Sequence, residues 1–285
     1  MLKWILFIAI CLTWGSSFML MKTGLESMSP YHVASIRILC AGLAMLPLLP
    51  KALRSIPAKS IGPVLLSGFL GSFFPAYLFC MAQTRIDSSL AGIMNALTPI
   101  FTLAIGAMFF KLEIAFMKWV GMIVGFSGML VLLLGNASGI SFDHLGYTLF
   151  VVLATIFYGL NVNMVNQFLK ETSPIHVAAI AFSGLILPTL IVLGITGYFE
   201  NPSWMDNLWS KGTAAAAFLG IMGTCVASIL FYMLVKKAGP VFASTVTYII
   251  PLVAIGWGLF SGENITWLQV GGMSVILLGV RLANR

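Results

Sequence analysis

Long apolar runs dominate the chain, and polar or charged residues fall between them. Ten such runs cover residues 2–22, 31–50, 62–83, 87–110, 116–135, 145–169, 174–197, 212–235, 238–261 and 266–282. A helix of about 20 apolar residues crosses ~30 Å of hydrocarbon, and lipid requires backbone groups to pair within the segment. The alternating pattern of a membrane β-strand is absent from the sequence. The pattern predicts an all-α integral membrane protein with ten transmembrane helices.

The charged residues are few and stand at the ends of these runs. Charged residues make up 8% of the 285 residues and hydrophobic residues 60%, whereas an average soluble domain has roughly 25% charged residues. The formal net charge of +7 could indicate nucleic-acid binding, but the Lys and Arg residues stand where membrane topology requires them. We therefore expect the lipid bilayer as the surroundings of the chain and no nucleic-acid partner.

The positive charges divide unevenly between the two sides of the predicted bundle. With a cytoplasmic N-terminus, eleven Lys and Arg residues fall on the inner side and three, Lys22, Arg85 and Lys211, on the outer side. Short loops rich in Lys and Arg stay in the cytoplasm. We therefore predict cytoplasmic N- and C-termini in a multi-pass protein of the cell membrane, which is the inner membrane in a bacterium.

Short features of the first half recur in the second half in the same order. They are SPYHVA at 29–34 and SPIHVA at 173–178, Pro99 and Pro251, and the equally spaced pairs Glu113 with Gly121 and Glu263 with Gly271. The near-constant offset predicts two related units, residues 1–137 and 138–285. Each unit holds five predicted helices, an odd number, so the second unit is inverted. Inverted repeats are a physical basis of alternating access in carriers.

Together with these matches, residues 14–18 (WGSSF) and Arg37 resemble the EamA-type branch of the drug/metabolite transporter superfamily. The resemblance implies a ten-helix, inverted-repeat carrier, often an exporter of amino acids or other small metabolites. The halves differ where Tyr158 stands for Trp14 and Ala181 stands for Arg37. A site built from both halves would therefore be chemically asymmetric.

Arg37 is the one basic residue well inside a predicted span. It lies about 9 Å into its helix, at 1.5 Å per residue from Tyr31. Two interpretations are open. A structural arginine would bond helix-end carbonyls or extend its head group to the interface, and a functional arginine would anchor a substrate carboxylate or another anion.

Further polar and aromatic residues inside the spans are candidates for a substrate cavity, because such groups should avoid lipid. The alternative for each hydroxyl is a hydrogen bond to its own backbone, and the alternative for each aromatic ring is a role in packing alone. The full set of candidate substrate-binding residues is Trp14, Ser17, Arg37, Tyr77, Asn95, Tyr158, Asn161, Thr224, Ser228, Tyr232 and Tyr248.

Two other sets of residues have predicted structural roles. Glu113 and Glu263 stand at helix ends, where we expect capping or pairing with a basic neighbour such as Lys111 or Lys118. Close helix–helix contacts are expected at glycines, namely Gly121, Gly125, Gly128, Gly271, Gly272 and Gly279.

The sequence favours a carrier that moves small metabolites, amino acids or related amphipathic compounds, with export as the expected direction. A channel or a structural membrane scaffold is the alternative. A membrane enzyme ranks below both, because no metal motif or intramembrane acid pair is present. The four cysteines lack metal-ligand spacing, so we expect no metal, cofactor or disulfide. The expected partner is a small-molecule substrate, and the sequence does not specify the oligomeric state.

Overall fold

The chain is helical throughout the part that the structure describes. The structure, a computed structural model, describes residues 2–110, 115–134, 142–169, 171–200, 209–231, 233–234, 237 and 246–283. No strand occurs within these ranges. For these residues the prediction of an all-α protein is confirmed.

Ten helical segments, numbered in chain order, run through the described residues. They are α1 (Leu2–Leu25), α2 (Pro30–Ser55), α3 (Ala58–Ala82), α4 (Ser88–Phe110), α5 (Phe116–Leu134), α6 (Phe142–Phe168), α7 (Pro174–Ile195), α8 (Lys211–Phe231), α9 (Val246–Phe260) and α10 (Trp267–Ala283). Seven of them, α1 to α4 and α6 to α8, are long and apolar enough to cross a bilayer, and α9 and α10 hold shorter apolar stretches. Ten spans, their inversion and cytoplasmic termini stay predictions.

Serine residues fix the start of two of these helices. The Ser29 hydroxyl accepts a hydrogen bond from the His32 N–H at 3.2 Å, and Pro30 occupies the first position of α2. The Ser210 hydroxyl accepts one from the Thr213 N–H at 3.1 Å at the start of α8. Both serines satisfy N–H groups that lack a partner within the helix.

Proline interrupts two of the long helices. The first part of α4 ends at Asn95, four residues before Pro99, and the first part of α7 ends at Gly184, four residues before Pro188. A proline ring clashes with the carbonyl four residues earlier and offers no N–H to it. In α4 the Thr98 hydroxyl donates to the freed Asn95 carbonyl at 2.8 Å.

Helices from the two halves pack in matching pairs. α1 packs against α9 as α6 packs against α4, and α2 packs against α8 as α7 packs against α3, while α5 packs along α10. The main apolar core joins α1 to α4 with helices of the second half. A smaller core, which includes Ala52, Val64 and Ile180, joins α2, α3 and α7 near the ends that the charge distribution predicts to be cytoplasmic.

The contact between α5 and α10 depends on glycine. A Cβ atom added to Gly279 would lie 2.5 Å from the Gly125 Cα and 2.7 Å from the Gly121 carbonyl oxygen. A Cβ on Gly128 would lie 3.0 Å from the Gly272 carbonyl oxygen. Small residues let membrane helices approach closely enough to gain dispersion energy.

The predicted glycine contacts are therefore confirmed at five positions and wrong at one. A Cβ added to Gly271 would meet nothing within 4 Å. Neighbouring residues of an α-helix point about 100° apart, so Gly272 faces α5 while Gly271 faces away from it.

This pair of environments supplies a matched test of the contact. Gly279→Ala should lower the stability of the protein, because overpacking costs about 1–3 kcal/mol and here the obstacle is backbone. Gly271→Ala has the same chemistry on the same helix and should leave stability unchanged or raise it slightly. The measurement is the melting temperature of the purified, detergent-solubilised variants. Equal melting temperatures for the two variants would contradict the packing described.

Candidate functional site

π-helical turns interrupt α3 and α8 at corresponding places in the two halves. They cover Phe69–Phe73 in α3 and Leu219–Val226 in α8. Such turns are rare, widen the helix locally and occur frequently at functional sites. Pro75 follows the first turn and contributes no N–H to the ladder. Nothing in the residue types predicted the second turn.

A glycine in each π-helical turn faces a polar side chain of the other half. Gly71 of α3 lies against the side-chain amide of Asn161 on α6. Gly223 of α8 lies against Ser17 on α1, whose hydroxyl is 3.3 Å from the place of an added Cβ. Two predicted site residues, Ser17 and Asn161, therefore occupy equivalent surroundings.

A second glycine near each turn faces the backbone of a further helix. Gly68 of α3 would place a Cβ 3.1 Å from the Ala181 carbonyl oxygen on α7. Gly220 of α8 lies directly against the Arg37 carbonyl on α2. The backbone arrangement is thus shared by the two halves, whereas the side chains, alanine in one and arginine in the other, are not.

The Arg37 side chain is buried between three helices. The residue is 9% exposed, its Nε donates to the Thr224 hydroxyl at 2.8 Å, and one terminal nitrogen donates to the Met21 sulfur at 3.7 Å. Among the described residues the one ion pair is that of Lys22 with Glu263, so Arg37 has no carboxylate partner there. Within the described part of the chain, this guanidinium bonds to no helix-end carbonyl and does not extend to the interface. The structural interpretation required one of these two arrangements.

Gln83, which the sequence analysis missed, lies beside the same sulfur. Its side-chain nitrogen donates to the Met21 sulfur at 3.8 Å, and its oxygen is buried without a hydrogen-bond partner. Nearby, the hydroxyls of Tyr77 and Ser35 share a hydrogen bond of 2.7 Å. A polar residue in the last turn of an apolar run was the available signal for Gln83.

Aromatic rings line the region between α1, α3 and α6. Phe79 stands between Phe18, at 5.5 Å between ring centroids, and Tyr158, at 6.1 Å. The Trp14 indole donates to the Gly223 carbonyl at 2.9 Å and packs on Phe231. Trp14 and Tyr158, which stand at matching positions of the repeat, thus make different contacts.

The remaining predicted site residues differ in whether their polar groups have hydrogen-bond partners. The Ser17 hydroxyl donates to the Thr13 carbonyl at 3.0 Å, as the local-bonding alternative expects, and the Asn95 side-chain oxygen accepts from the Thr98 hydroxyl at 3.4 Å. The Asn161 side-chain oxygen is buried without a partner, and Ser228 is half-buried. Tyr232 and the side chain of Tyr248 lie outside the described residues.

A buried carboxylate joins the ends of α1, α4 and α9. Glu263, in the connection after α9, accepts from the Lys22 ammonium at 2.6 Å, from the Ser88 hydroxyl at 2.6 Å, and from the N–H groups of Ser88 and Ser89 at 3.1 Å each. It therefore caps α4, whose first N–H groups need acceptors. Capping is confirmed for Glu263, but its basic partner is Lys22 and neither Lys111 nor Lys118. Glu113 lies outside the described residues.

These contacts control the ionisation of Glu263. Burial raises the pKa of its carboxyl, but the hydrogen bonds from Lys22, Ser88 and Ser89 outweigh burial and lower the pKa to about 2. The carboxylate form is therefore bound into the fold, and its protonation would weaken the junction of the three helices.

A cavity of about 370 Å³ opens beside this end of the bundle. It lies between the first turns of α2 and α6 and the end of α3, where Tyr31, Met81, Thr84, Tyr147 and Phe150 line it. Met81 and Thr84 flank Gln83 in the chain, while Arg37, Met21 and Gln83 themselves are not among the residues that line the cavity. In the part of the chain described, no group of three His, Cys, Asp or Glu side chains could hold a metal ion.

Known proteins with the same pattern are transporters. The sequence profile of the EamA-like transporter family matches residues 1–134 and 145–285. The uncharacterized transporter YdfC of Bacillus subtilis (strain 168) is 26% identical over 94% of this chain and 86% of its own length. The uncharacterized inner membrane transporter YedA of Escherichia coli (strain K12) is 24% identical over 96% and 88%. A solved crystal structure, 16% identical, shares the fold with a TM-score of 0.65 over 98% of this chain and 95% of its own.

The fold and these matches define a multi-pass helical protein of the cell membrane. The chain belongs to the EamA-like transporter family and is a membrane transporter. The resemblance drawn from the sequence is confirmed. The names of the family and of these relatives are those of transporters rather than of enzymes.

The Glu263 contacts predict how stability depends on pH. A carboxyl with a lowered pKa stabilises the fold above its ordinary pKa of 4.5, and this contribution is lost as the pH falls towards 2. The loss is on the order of 3 kcal/mol. The melting temperature of the solubilised protein should therefore fall as the pH decreases through this window.

Variants at Glu263 and at a control position identify the group that causes this pH dependence. Glu263→Gln should melt at a lower temperature at neutral pH and lose much of the dependence, while Glu171→Gln, at an exposed position, should behave as the unchanged protein does. Burial and the charge of Glu263 raise the pKa of the neighbouring Asp87, which acts in the opposite direction. If the melting temperature of Glu263→Gln still fell steeply as the pH decreases, the pH dependence would belong to another group.

Proposed function

We propose that this transporter is a carrier that moves small amphipathic metabolites, amino acids or related compounds, out of the cell by alternating access. Its two units, residues 1–137 and 138–285, form inverted five-helix repeats that enclose the substrate near the middle of the membrane. The N- and C-termini lie in the cytoplasm, as the excess of Lys and Arg at that side favours.

The observation that carries this proposal is the duplicated arrangement around the two π-helical turns. The offset that relates residues 29–34 to 173–178 also relates Ser17 to Asn161. Gly71 of the first half contacts Asn161 of the second, and Gly223 of the second half contacts Ser17 of the first. Equivalent contacts at equivalent positions are expected when two copies of one unit face each other across a pseudo-two-fold axis.

The reciprocal packing of whole helices supports the same interpretation. The pair α1 and α9 corresponds to the pair α6 and α4, and α2 and α8 correspond to α7 and α3. Two related units can exchange conformations, so that one state opens inward and its counterpart opens outward. The family match to two separate parts of the chain, 1–134 and 145–285, is consistent with this division.

The π-helical turns provide a physical means for such an exchange. Each replaces the regular ladder by i→i+5 hydrogen bonds at the level of the glycine contacts. A small change in the ladder would tilt the end of α3 or α8 without breaking the buried contacts on either side. Inner loops and outer loops would then open in alternation. No carboxylate lies deep in a predicted span, which favours facilitated diffusion or exchange over proton coupling.

Reconstituted protein provides the test of transport. Purified protein in liposomes should take up at least one compound from a panel of amino acids and related acids, with saturable kinetics and accelerated exchange when unlabelled compound is inside. A channel would give flux that does not saturate and no accelerated exchange, and an enzyme would return altered compound. No flux of any compound by a folded sample would contradict the proposal.

Two asparagines of α6 form a matched pair for this assay. Asn161 faces Gly71 and has an unpaired oxygen, whereas Asn166 is exposed. Asn161→Ala should lower flux about tenfold, the effect of a hydrogen bond worth ~1.4 kcal/mol, and Asn166→Ala should leave flux within about twofold of the original, because an exposed side chain contributes little. Protein amounts in the liposomes serve as the control. Equal flux through both variants would remove Asn161 from the pathway.

A further inference from the structure

Hydrogen-bond donors from two helices converge on one poor acceptor. The Arg37 guanidinium from α2 and the Gln83 amide from α3 both donate to the Met21 sulfur, at 3.7 Å and 3.8 Å. Met21, on α1, is 2% exposed. A thioether sulfur is a weak acceptor, so it satisfies neither donor well, and a charged donor least of all.

The site carries an uncompensated positive charge. Arg37 is 9% exposed, and no carboxylate of the described residues lies within ion-pair distance of it. A buried charge without a partner is costly, and it is retained in membrane segments mainly where it serves a function. Besides Met21, Arg37 bonds only to the Thr224 hydroxyl among described residues, through Nε, which leaves terminal N–H groups available.

An unused acceptor lies next to these donors. The Gln83 side-chain oxygen is buried without a hydrogen-bond partner in the described structure, in a residue that is 8% exposed. A buried acceptor left unpaired costs ~1–3 kcal/mol. A ligand with both an anionic oxygen and a hydrogen-bond donor would pair with the Arg37 and Gln83 donors and with the Gln83 oxygen.

We infer that Arg37, Gln83 and Met21 form a carboxylate-binding subsite for 2-hydroxycarboxylate anions, and this inference rests on the proposed carrier function. The substrate carboxylate takes the place of the Met21 sulfur between Arg37 and Gln83. The hydroxyl on the adjacent carbon donates to the Gln83 oxygen. Met21 is flexible and unbranched, so it can swing aside and return when the site is empty.

Charge separates this substrate class from amino acids. An amino acid brings an ammonium group where the hydroxyl would lie, close to the Arg37 guanidinium and without a carboxylate to pair with. In a low-dielectric site that like-charge contact is unfavourable. The site therefore prefers a net anion to a zwitterion with the same side chain.

A hydrophobic substituent fits the aromatic side chains near Gln83, and a cavity lies at the same end of α3. Phe79 lies one helical turn before Gln83, and its ring stacks on Tyr158. Met81 and Thr84, on either side of Gln83, line the cavity of about 370 Å³ that opens at the end of α3. A 2-hydroxycarboxylate with an aromatic group matches these walls, so 3-phenyllactate is a suitable probe.

Calorimetric titration of the full chain in lipid nanodiscs tests the inference. The probes are 3-phenyllactate, 3-phenylpropionate, which lacks the hydroxyl, and phenylalanine, which replaces the hydroxyl with ammonium. We expect 3-phenyllactate to bind at least about fivefold more tightly than either of the others, since a net hydrogen bond contributes ~1 kcal/mol. Equal affinity for phenylalanine and 3-phenyllactate, or no binding of 3-phenyllactate at millimolar concentration, would overturn the inference.

Four variants separate ligand binding from structural support. Arg37→Gln should weaken 3-phenyllactate binding at least about tenfold, because a charge-assisted hydrogen bond is worth ~1.5–3 kcal/mol, whereas the same change at exposed Arg54 should have no effect. Gln83→Met removes a donor to the carboxylate of both probes and the acceptor of the hydroxyl, so it should weaken 3-phenyllactate by a larger factor than 3-phenylpropionate. Met21→Leu removes the competing sulfur and should preserve or strengthen binding.

A purely structural role for the cluster predicts different results. Arg37 would then only join α2 to α8, and Met21→Leu and Arg37→Gln would lower the melting temperature without a change in affinity. If Arg37→Gln does not fold, Arg37→Lys keeps the charge with fewer donors and should weaken 3-phenyllactate binding by a smaller factor. Unchanged binding in both Arg37→Lys and Gln83→Met would overturn the subsite.

The binding assay also distinguishes this inference from the carrier proposal. Binding that depends on Arg37 in a protein without flux in liposomes would retain the subsite and reject the carrier. Saturable flux of amino acids that is unaffected by Arg37→Gln would retain the carrier and reject the subsite.

Discussion

The inability of hydrocarbon to form hydrogen bonds determines where every polar group of this transporter lies. Hydroxyls of Thr13 and Ser274 bond to carbonyls of their own helices, and the carboxylate of Glu263 collects four donors at a helix end. Against this background seven buried side-chain oxygens of the described residues lack a partner, and Gln83 and Asn161 hold the two that belong to amides. Because a buried unpaired group is costly, such unpaired amides mark places where a substrate could contribute what the protein lacks.

Glycine and the π-helical turns allow the two halves to share a backbone arrangement and still differ chemically. Gly68 and Gly220 each contact the backbone carbonyl of one residue on the neighbouring helix. Because this contact is made through the backbone, the type of that residue can differ between the two halves. One half has Ala181 there and the other has Arg37, whose guanidinium extends to Thr224 in the second π-helical turn. In the proposed carrier the shared backbone would allow symmetric motion, and the single arginine would fix the orientation of a bound substrate.

The sequence predicted the helical elements well because lipid imposes a simple rule on apolar runs. The start of α2 at Pro30 and the glycine contact of α5 with α10 follow from local residue types. The π-helical turns do not, since their hydrogen-bond shift carries no residue signature of its own. Nor did the sequence reveal that Lys22 pairs with Glu263, 241 residues away, or that Gly271 faces away from α5, because both depend on the tertiary rotation of helices. Gln83 is the last residue of its predicted span, 62–83, and the residues around it gave no reason to single it out.

Alternating access is the central claim, and distances between the two ends of α3 and α6 test it most directly. Spin labels at Thr84 and Gly146 report the end that holds the cavity, and labels at Lys59 and Glu171 report the other end; all four positions are exposed. With the four native cysteines replaced, double electron–electron resonance should give two populations for each pair. Addition of a transported compound should lengthen one distance while it shortens the other. Distances that stay fixed, or that lengthen together at both ends, would contradict the account.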